Sequence, residues 1–475
     1  MPTPAIRKSL EPWIKDEVEY YEHQAQGIRH LARLKSFLLA DDMGLGKSLQ
    51  ALTVFAIDVY RGWAQTMLIV APVTLKGNWA DEIEKFTRFP YIVLEGPPLE
   101  RNKLLLDFMQ IEGPKILIVN YEQVDPHLIA LDSLNFDAVI FDEAHYLKNY
   151  KAKRTKACLS LYSRRSFLLT GTPMLNHVNE LWSLLHRINP EQFPSYWRFV
   201  NKYAVFGGYK DKQIVGVKNE KQLTEILQSV MLRRLKSEVL NLPEVQYIER
   251  RVDLLPEQVK LYNSVVEEMR LERYDEDEPD DIENALTKFL RLKQICGTTL
   301  PFTGQDHSSK LDLAVDEAVE LLENGHSVIV FTQFRDMLAA YVDRIVPFGY
   351  PVYQLHGDVK QSDRQPIVND WSVTGPGVIV CMLQVAGVGL NMTASRHIQF
   401  LDKLFVPGLN KQAVDRAHRI GQSETQPVQV FEYLARNTIE NRVNQILRTK
   451  SKLFGEIVET DPDWKRKLLI ALKEA

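Results

Sequence analysis

Short apolar runs alternate with stretches of helical period along most of the chain, and the pattern occurs twice. In the first half the runs lie at 37–40, 67–71, 115–120, 138–141 and 167–170; in the second half they lie at 328–332, 352–355, 378–381, 398–401 and 428–433. Each is too short for a helix and hydrophobic nearly throughout, which predicts strands buried on both faces, and the intervening chain is long enough for helical crossovers between parallel neighbours. The expected fold class is α/β, with two such units in tandem. Over roughly 178–300 the alternation fades and helical pattern dominates, so a helical insertion is expected between them. The expected domains are residues 1–240 with a protrusion from about 178, a helical linker with a second protrusion over 241–300, and the second unit over 301–475.

Candidate chemistry gathers where the apolar runs end. The first run leads into DDMGLGKS at 41–48, a loop whose Gly44, Gly46, Lys47 and Ser48 suit backbone N–H donors to phosphate oxygens, an ammonium on the β/γ-phosphates and a hydroxyl for Mg²⁺. The run 138–141 leads into Asp142 and Glu143, carboxylates that divide naturally into a Mg²⁺ ligand and a group polarising the attacking water. LLTGTP at 168–173 places Thr170 and Thr172 after another strand, where a nucleotide is sensed. Near the other end, QAVDRAHRIGQ at 412–422 sets Arg416 and Arg419 one helical turn apart. Guanidinium groups brought to a departing phosphoryl raise rates by roughly 10³–10⁵. A phosphate loop in one half and arginines in the other predict an ATP-driven machine whose halves close on one nucleotide.

These segments, in this order, resemble the Swi/Snf-type ATPases, the chromatin-remodeller branch of superfamily 2 helicases, from about Tyr20 to about Leu447. The resemblance implies two RecA-like lobes, ATP and Mg²⁺ as cofactors, and DNA as partner. It makes Gln24 of HQAQGI the base-reading residue, and it assigns Asp41, Met43, Gly44, Leu45, Gly46, Lys47, Ser48 and Gln412 to the nucleotide. Asp41 stands where a general phosphate loop has its first glycine, a departure that belongs to the branch. His145 is implied as a bridge between the carboxylates and the coupling segment. LIVAPVTLKGNW, VNYEQV, VIVFTQF and VAGVGLNMTAS are similar to strand-tracking segments. They put sequence-independent DNA contacts at Pro72, Thr74, Lys76, Asn120, Tyr121, Gln333, Phe334, Gly387, Gly389 and Asn391. Ala386 replaces the usual first glycine of its motif, and Phe405-Val406 replace Trp-Asn, so the second lobe's DNA contacts depart from the pattern. The loop wording and the spacing from Pro407 to Gln412 lean towards the annealing-helicase, fork-remodelling subgroup, and the compactness resembles small bacterial or bacteriophage-type members.

Composition narrows the partners. With 58 basic and 62 acidic residues the net charge is −4, so any nucleic-acid surface has to be a local stripe. Basic runs at Lys148–Lys156 and at Arg233, Arg234 and Lys236 are candidates, the first equally readable as a solvated helix face and the second favoured for DNA; the acidic run 271–283 reads as a solvated loop, with an acidic mimic of DNA as the alternative. The 3 cysteines follow no C-x-x-C pattern and suggest neither a disulfide framework nor a zinc site. No signal-peptide core or membrane-length apolar stretch is legible, so a place in the cytoplasm or nucleoid is expected, and the resemblance implies a monomer. The function expected is translocation along duplex or branched DNA. Two rivals remain: a strand-separating helicase, and a nucleotide-gated clamp without productive turnover.

Overall fold

The computed structural model describes residues 10, 12–171, 178–207, 213–240, 243–271, 279–386, 390–404, 407–419, 422 and 426–444. The chain divides into two compact units, Met1–Leu240 and Asn241–Ala475. Thr172, Gly387, Gly389, Phe405 and Val406 lie outside the described residues, as do 272–278 of the acidic run.

In the first unit the strands are β1 (Phe37–Leu39), β2 (Thr66–Ala71), β3 (Tyr91–Val93), β4 (Lys115–Asn120), β5 (Ala138–Asp142), β6 (Arg165–Leu169), β7 (Ala204–Gly207), β8 (Gln213–Val217) and β9 (Met231–Leu232). Seven of them form one sheet in the order β3-β4-β2-β5-β6-β1-β9, every neighbouring pair parallel. Leu68, Ile69, Ile118, Val139 and Ile140 are wholly buried, as strands covered on both faces require. Because the strands are parallel, their carboxyl ends emerge along one edge, where α/β sheets bind ligands. β7 and β8 pair antiparallel with a register shift at Val205/Phe206. Beside them, the helices Leu181–Ile188 and Tyr196–Tyr203 enclose a separate aromatic core of Trp182, Phe193, Phe199 and Tyr203.

The opposite edge of this sheet is tied by Arg165 at the start of β6. Its guanidinium pairs with the wholly buried Asp58 and donates to the carbonyls of Leu31, Leu34 and Lys35, the last at 3.0 Å. Burial pushes the Asp58 carboxyl up in pKa against the pull of Arg165.

In the second unit β10 (Gln246–Val252), β11 (Val328–Thr332), β12 (Val352–Leu355), β13 (Val378–Met382), β14 (His397–Phe400) and β15 (Gln429–Ala435) form a parallel sheet in the order β10-β15-β14-β11-β13-β12. Its core holds a buried cation: Lys310 donates to Glu440 at 2.6 Å and to the Leu401 carbonyl at 3.1 Å.

Over 178–300 helices dominate, and the strands β7, β8, β9 and β10 lie among them. β10 reads QYIERRV, and its charged residues are those of an edge strand that resists further pairing, which masks the apolar signal. Among the described residues no helix is long and apolar enough to cross a membrane.

Replacing Arg165 strands a buried carboxylate and three carbonyls. Arg165→Ala is expected to cost about 3–5 kcal/mol of stability, the range for breaking a buried pair; urea denaturation of the variant checks it.

Candidate nucleotide site and the family it defines

β1 ends at Leu39, and the chain turns through 40–46 into the helix Lys47–Tyr60. Gly44 (φ 81°) and Gly46 (φ 75°) both take the left-handed backbone, the conformation that glycine adopts without strain and that turns successive N–H groups towards one point. Lys47 bends back so that Nζ donates to the carbonyls of Asp41 (2.9 Å) and Asp42 (3.3 Å). Gln24 closes one side of the loop, its amide Nε2 donating to the Leu45 carbonyl at 3.2 Å, with His23 Nε2 also 3.2 Å from that oxygen. Met43 packs against Gly171, where an added Cβ would lie 3.2 Å from Met43 Cγ, so the turn after β6 sits against the loop. Ser48 is half-buried in the first turn of the helix.

The side chain of Asp41 points elsewhere. It is wholly buried, paired with Arg234 through both carboxylate oxygens (Nε to Oδ1 at 3.0 Å), and it accepts from Gln50 Nε2 at 3.2 Å. Arg234 also donates to Gln50 Oε1 at 2.8 Å and to the His23 carbonyl. Asp41 therefore serves the loop's shape, and only its backbone faces Lys47. A Cβ on Gly27 would collide with Gln50 and Arg234, which accounts for the glycine in HQAQGI. Arg234, Gln50 and Gly27 were missed as parts of this site; the legible signal was the aspartate standing in a glycine position.

At the end of β5, Asp142 Oδ2 accepts from Trp79 Nε1 at 2.8 Å and Oδ1 accepts from the Glu143 N–H at 2.9 Å. Burial, reinforced by the charge of Glu143 and opposed by Trp79 and Lys47, pushes the Asp142 carboxyl up to about 7. Glu143 has φ 48°, a left-handed conformation that costs a non-glycine residue about 1–3 kcal/mol. His145 Nδ1 lies 3.2 Å from Glu143 Oε2 and 3.3 Å from Thr170 Oγ1, so one imidazole joins the carboxylate to the turn after β6. One sheet edge thus gathers Gln24, Lys47, Ser48, Asp142, Glu143, His145 and Thr170.

The expected strand contacts fare differently. Lys76 is buried, donating to the Leu94 carbonyl at 2.8 Å with Glu95 at 3.5 Å, and burial lowers its pKa. Asn120 caps the short helix Tyr121–Val124 by accepting from Gln123 N at 2.9 Å, and Tyr121, wholly buried, donates to the Asp142 carbonyl at 2.7 Å. Gln333 donates to Asp402 Oδ1 at 2.7 Å. These four side chains and that of Arg234 make hydrogen bonds inside their own units, and Lys236 is buried, so any strand contact at these positions falls to the backbone and to neighbouring groups. Pro72 is buried, Thr74 and Phe334 are half-buried, and Asn391 is exposed.

In the second unit the helix Pro407–Val414 carries the buried Gln412 and stops before the arginines. Residues 415–417 tighten into a turn, with Arg416 N donating to Ala413 O at 3.2 Å and Ala417 N to Val414 O at 3.1 Å. Arg416 is buried and Arg419 half-buried, so the single helical turn expected to align them is replaced by this tighter geometry.

A phosphate loop, paired carboxylates at the next-but-one strand end and a second α/β unit define a helicase-like ATPase. Comparison with known proteins agrees. The SNF2-related domain matches residues 23–299 and the helicase conserved C-terminal domain matches 310–421. The chain is 30% identical over 470 residues to the DNA annealing helicase and endonuclease ZRANB3 of Mus musculus, covering 95% of this chain and 41% of that protein. It is 28% identical over 445 residues to the putative ATP-dependent helicase/translocase YwqA of Bacillus subtilis, covering 89% and 46%. Among solved structures, the Sulfolobus solfataricus SWI2/SNF2 ATPase core in complex with dsDNA is 27% identical over 95% of both chains, with a TM-score of 0.45. This chain belongs to the SNF2-related family, and each of its two units, or lobes, is built on a parallel sheet. It spans less than half the length of those curated relatives.

The raised Asp142 carboxyl predicts a stability signature. Its native pKa of about 7 lies above the unfolded value, so the native state holds a proton that the unfolded chain releases, and stability falls as pH rises from about 4 to about 7. Asp142→Asn removes that loss. Its melting temperature relative to the unchanged protein is expected to climb across this interval and level off above it, as thermal melts from pH 4 to 8 would read.

Proposed function

We propose that this chain is an ATP-driven DNA translocase, moving along duplex or branched DNA without reading its sequence. The observation that carries the proposal is the convergence of Lys47, Asp142 and Glu143 on one sheet edge, with Lys47 close enough for its charge to oppose the raised pKa of Asp142. Gln24, beside the loop, is proposed to contact the base, and Lys47 to leave the Asp41 and Asp42 carbonyls for the β/γ-phosphates. Glu143 is suited to accept a proton from the attacking water, its carboxylate beside His145 and its backbone turned left-handed. His145 and Thr170 then relay the state of that carboxylate to the turn after β6.

The donor set fits Mg²⁺: the Ser48 hydroxyl and Asp142 carboxylate are hard oxygens, and Mg²⁺ commonly takes one or two protein oxygens beside phosphate and water. A cation would also relieve the burial penalty on Asp142. Bound there, the ion supplies neutralisation of phosphate charge.

Arg416 and Arg419 are proposed to act on the departing phosphoryl when the lobes close, and alternate closing and opening moves the DNA-bound surfaces stepwise. Similarity to a DNA annealing helicase and to a putative helicase/translocase supports DNA as the track.

Two expectations follow for ATP. Lys47→Ala weakens binding and hydrolysis together, whereas Glu143→Gln keeps ATP bound and stops turnover; near-normal turnover in the glutamine variant removes Glu143 from the chemistry. Arg416→Ala and Arg419→Ala slow turnover by roughly 10³-fold or more while ATP binding survives. Nucleotide affinity and phosphate release, measured on each variant, separate these outcomes.

A further expectation concerns the track. Duplex or forked DNA stimulates ATP turnover more than RNA does, with an effect that falls as salt rises, and a third strand is displaced with little unwinding of a tailed duplex. Strong unwinding would assign the strand-separating reading, RNA stimulation would remove DNA as the partner, and absence of turnover with every nucleic acid would leave the clamp.

A further inference from the structure

Away from the nucleotide loop, the first lobe carries a file of aromatic rings that ends in solvent. Tyr150 and Tyr196 stack with centroids 3.7 Å apart, and Trp182 stands edge-on to both at 5.9 and 5.7 Å. Trp197 stands edge-on to Tyr196 at 5.3 Å, and it is 60% exposed. The cause is the sequence YWRFVNKY of the helix Tyr196–Tyr203: Phe199, Val200 and Tyr203 are buried, while Trp197, Arg198 and Lys202 face water. The indole is left outside a core that its neighbours fill, forgoing burial worth about 1.5–3 kcal/mol for a large apolar side chain.

Cations stand on the helix that carries Trp197 and on the segment that begins at Tyr150. Lys151 lies over the Tyr150 ring at 5.8 Å, and Lys202 over Tyr203 at 5.2 Å. Lys153 and Lys156 are exposed on the helix Lys153–Ser160 that follows Tyr150, and Arg198 is exposed beside Trp197. Among the described residues these five cations form no ion pair with a carboxylate, whereas the neighbouring Arg154 pairs with Glu122 at 3.5 Å. Protein interfaces take aromatic residues but are depleted in lysine. An exposed indole at the end of a ring file whose helices carry exposed lysines matches instead a chain of bases on a phosphate backbone, where aromatic faces stack without regard to sequence and cations track the phosphates.

We propose that this patch is a binding site for single-stranded DNA, with Trp197 stacking on an unpaired base and Lys151, Lys153, Lys156, Arg198 and Lys202 lying along the flanking phosphates. The proposal rests on the DNA-translocase reading and gives it a substrate preference: DNA with an unpaired arm. Duplex DNA offers no free base face, so the ring distinguishes a branch from an uninterrupted helix.

The test is fluorescence anisotropy with a labelled oligothymidylate and with a blunt duplex of equal length, at one salt concentration, on the unchanged protein, Trp197→Ala and Trp197→Phe. Loss of a stacking platform is worth about 1–3 kcal/mol, so Trp197→Ala should bind the oligothymidylate roughly 5- to 150-fold more weakly. Duplex affinity should stay within about twofold, and Trp197→Phe should retain most of the single-strand affinity. Because Trp197 is exposed, its removal leaves the core intact; DNA-free ATP turnover and thermal melting of the same variants check this. Unchanged oligothymidylate binding in Trp197→Ala would overturn the proposal and reassign the patch to a protein partner. An equal loss on single strand and duplex would overturn it too, by showing a general charge or folding effect. If no DNA stimulates ATP turnover while the selective loss of single-strand binding is seen, the translocase reading fails and the stacking site stands.

Discussion

The ion pair between Asp41 and Arg234 sets the shape on which the nucleotide site depends. Arg234 comes from the last strand connection of the first lobe and Asp41 from the first, so the contact closes the lobe across 193 residues of sequence. A fork of guanidinium donors fixes a carboxylate in orientation as well as position, and the extra donations to Gln50 and the His23 carbonyl bind the helix Lys47–Tyr60 and the segment around Gln24 into the same knot. The loop between them then has little freedom. Its two left-handed glycines supply the turn, and the carbonyls of Asp41 and Asp42 are held where Lys47 reaches them. A glycine at 41 would leave the half-buried Arg234 guanidinium without its carboxylate, with only Gln50 and the His23 carbonyl to accept from it.

A second constraint acts at the end of β5. Asp142 and Glu143 are adjacent carboxylates in a dry strand end, and the structure accepts two penalties to keep them there: an Asp142 carboxyl displaced to about 7 and a glutamate in the left-handed region. Trp79 and Tyr121 act as the supports, one donating to the carboxylate and the other to the carbonyl of Asp142. Those supports come from the segments read in sequence as DNA contacts. Their position just after β2 and β4 is right for the strand edge, but their side chains brace the carboxylates from within.

That difference shows what a one-dimensional pattern conveys. The strands legible in the sequence are those with uninterrupted Val, Ile, Leu and Phe, such as β2, β5, β11 and β13, because burial on both faces leaves no alternation to confuse with a helix. The strands that escaped notice are short or peripheral: β3 and β9, with three and two residues, the separate antiparallel pair of β7 and β8, and the charged edge β10. At the site, residues whose chemistry is local were legible, since a glycine-rich turn and a carboxylate pair announce themselves by neighbours in sequence. Arg234, Gln50 and Trp79 were not, because their meaning lies in partners 193, 9 and 63 residues away. The same limit explains Lys76 and Gln333, whose polar character marks surface residues in a string and proves to be spent on Leu94 and on Asp402.

The two lobes repeat one architecture and finish it differently. In the first, the strand ends carry a lysine, a hydroxyl and two carboxylates around a glycine turn. In the second, the corresponding edge is knotted: Asp402, just past β14, accepts from Thr332 at 2.5 Å and from Gln333, and lies 3.8 Å from the buried Lys293. A buried acid whose oxygens are already engaged by a lysine, a hydroxyl and an amide is a scaffold, because every added donor lowers its capacity to take another ligand. Arg416 and Arg419 lie away from that strand end, in the turn after Val414 that follows the helix Pro407–Val414. One parallel-sheet plan thus ends in a glycine turn beside paired carboxylates in the first unit and in a closed set of hydrogen bonds around Asp402 in the second, so the residues at the strand ends, not the sheet, make the difference.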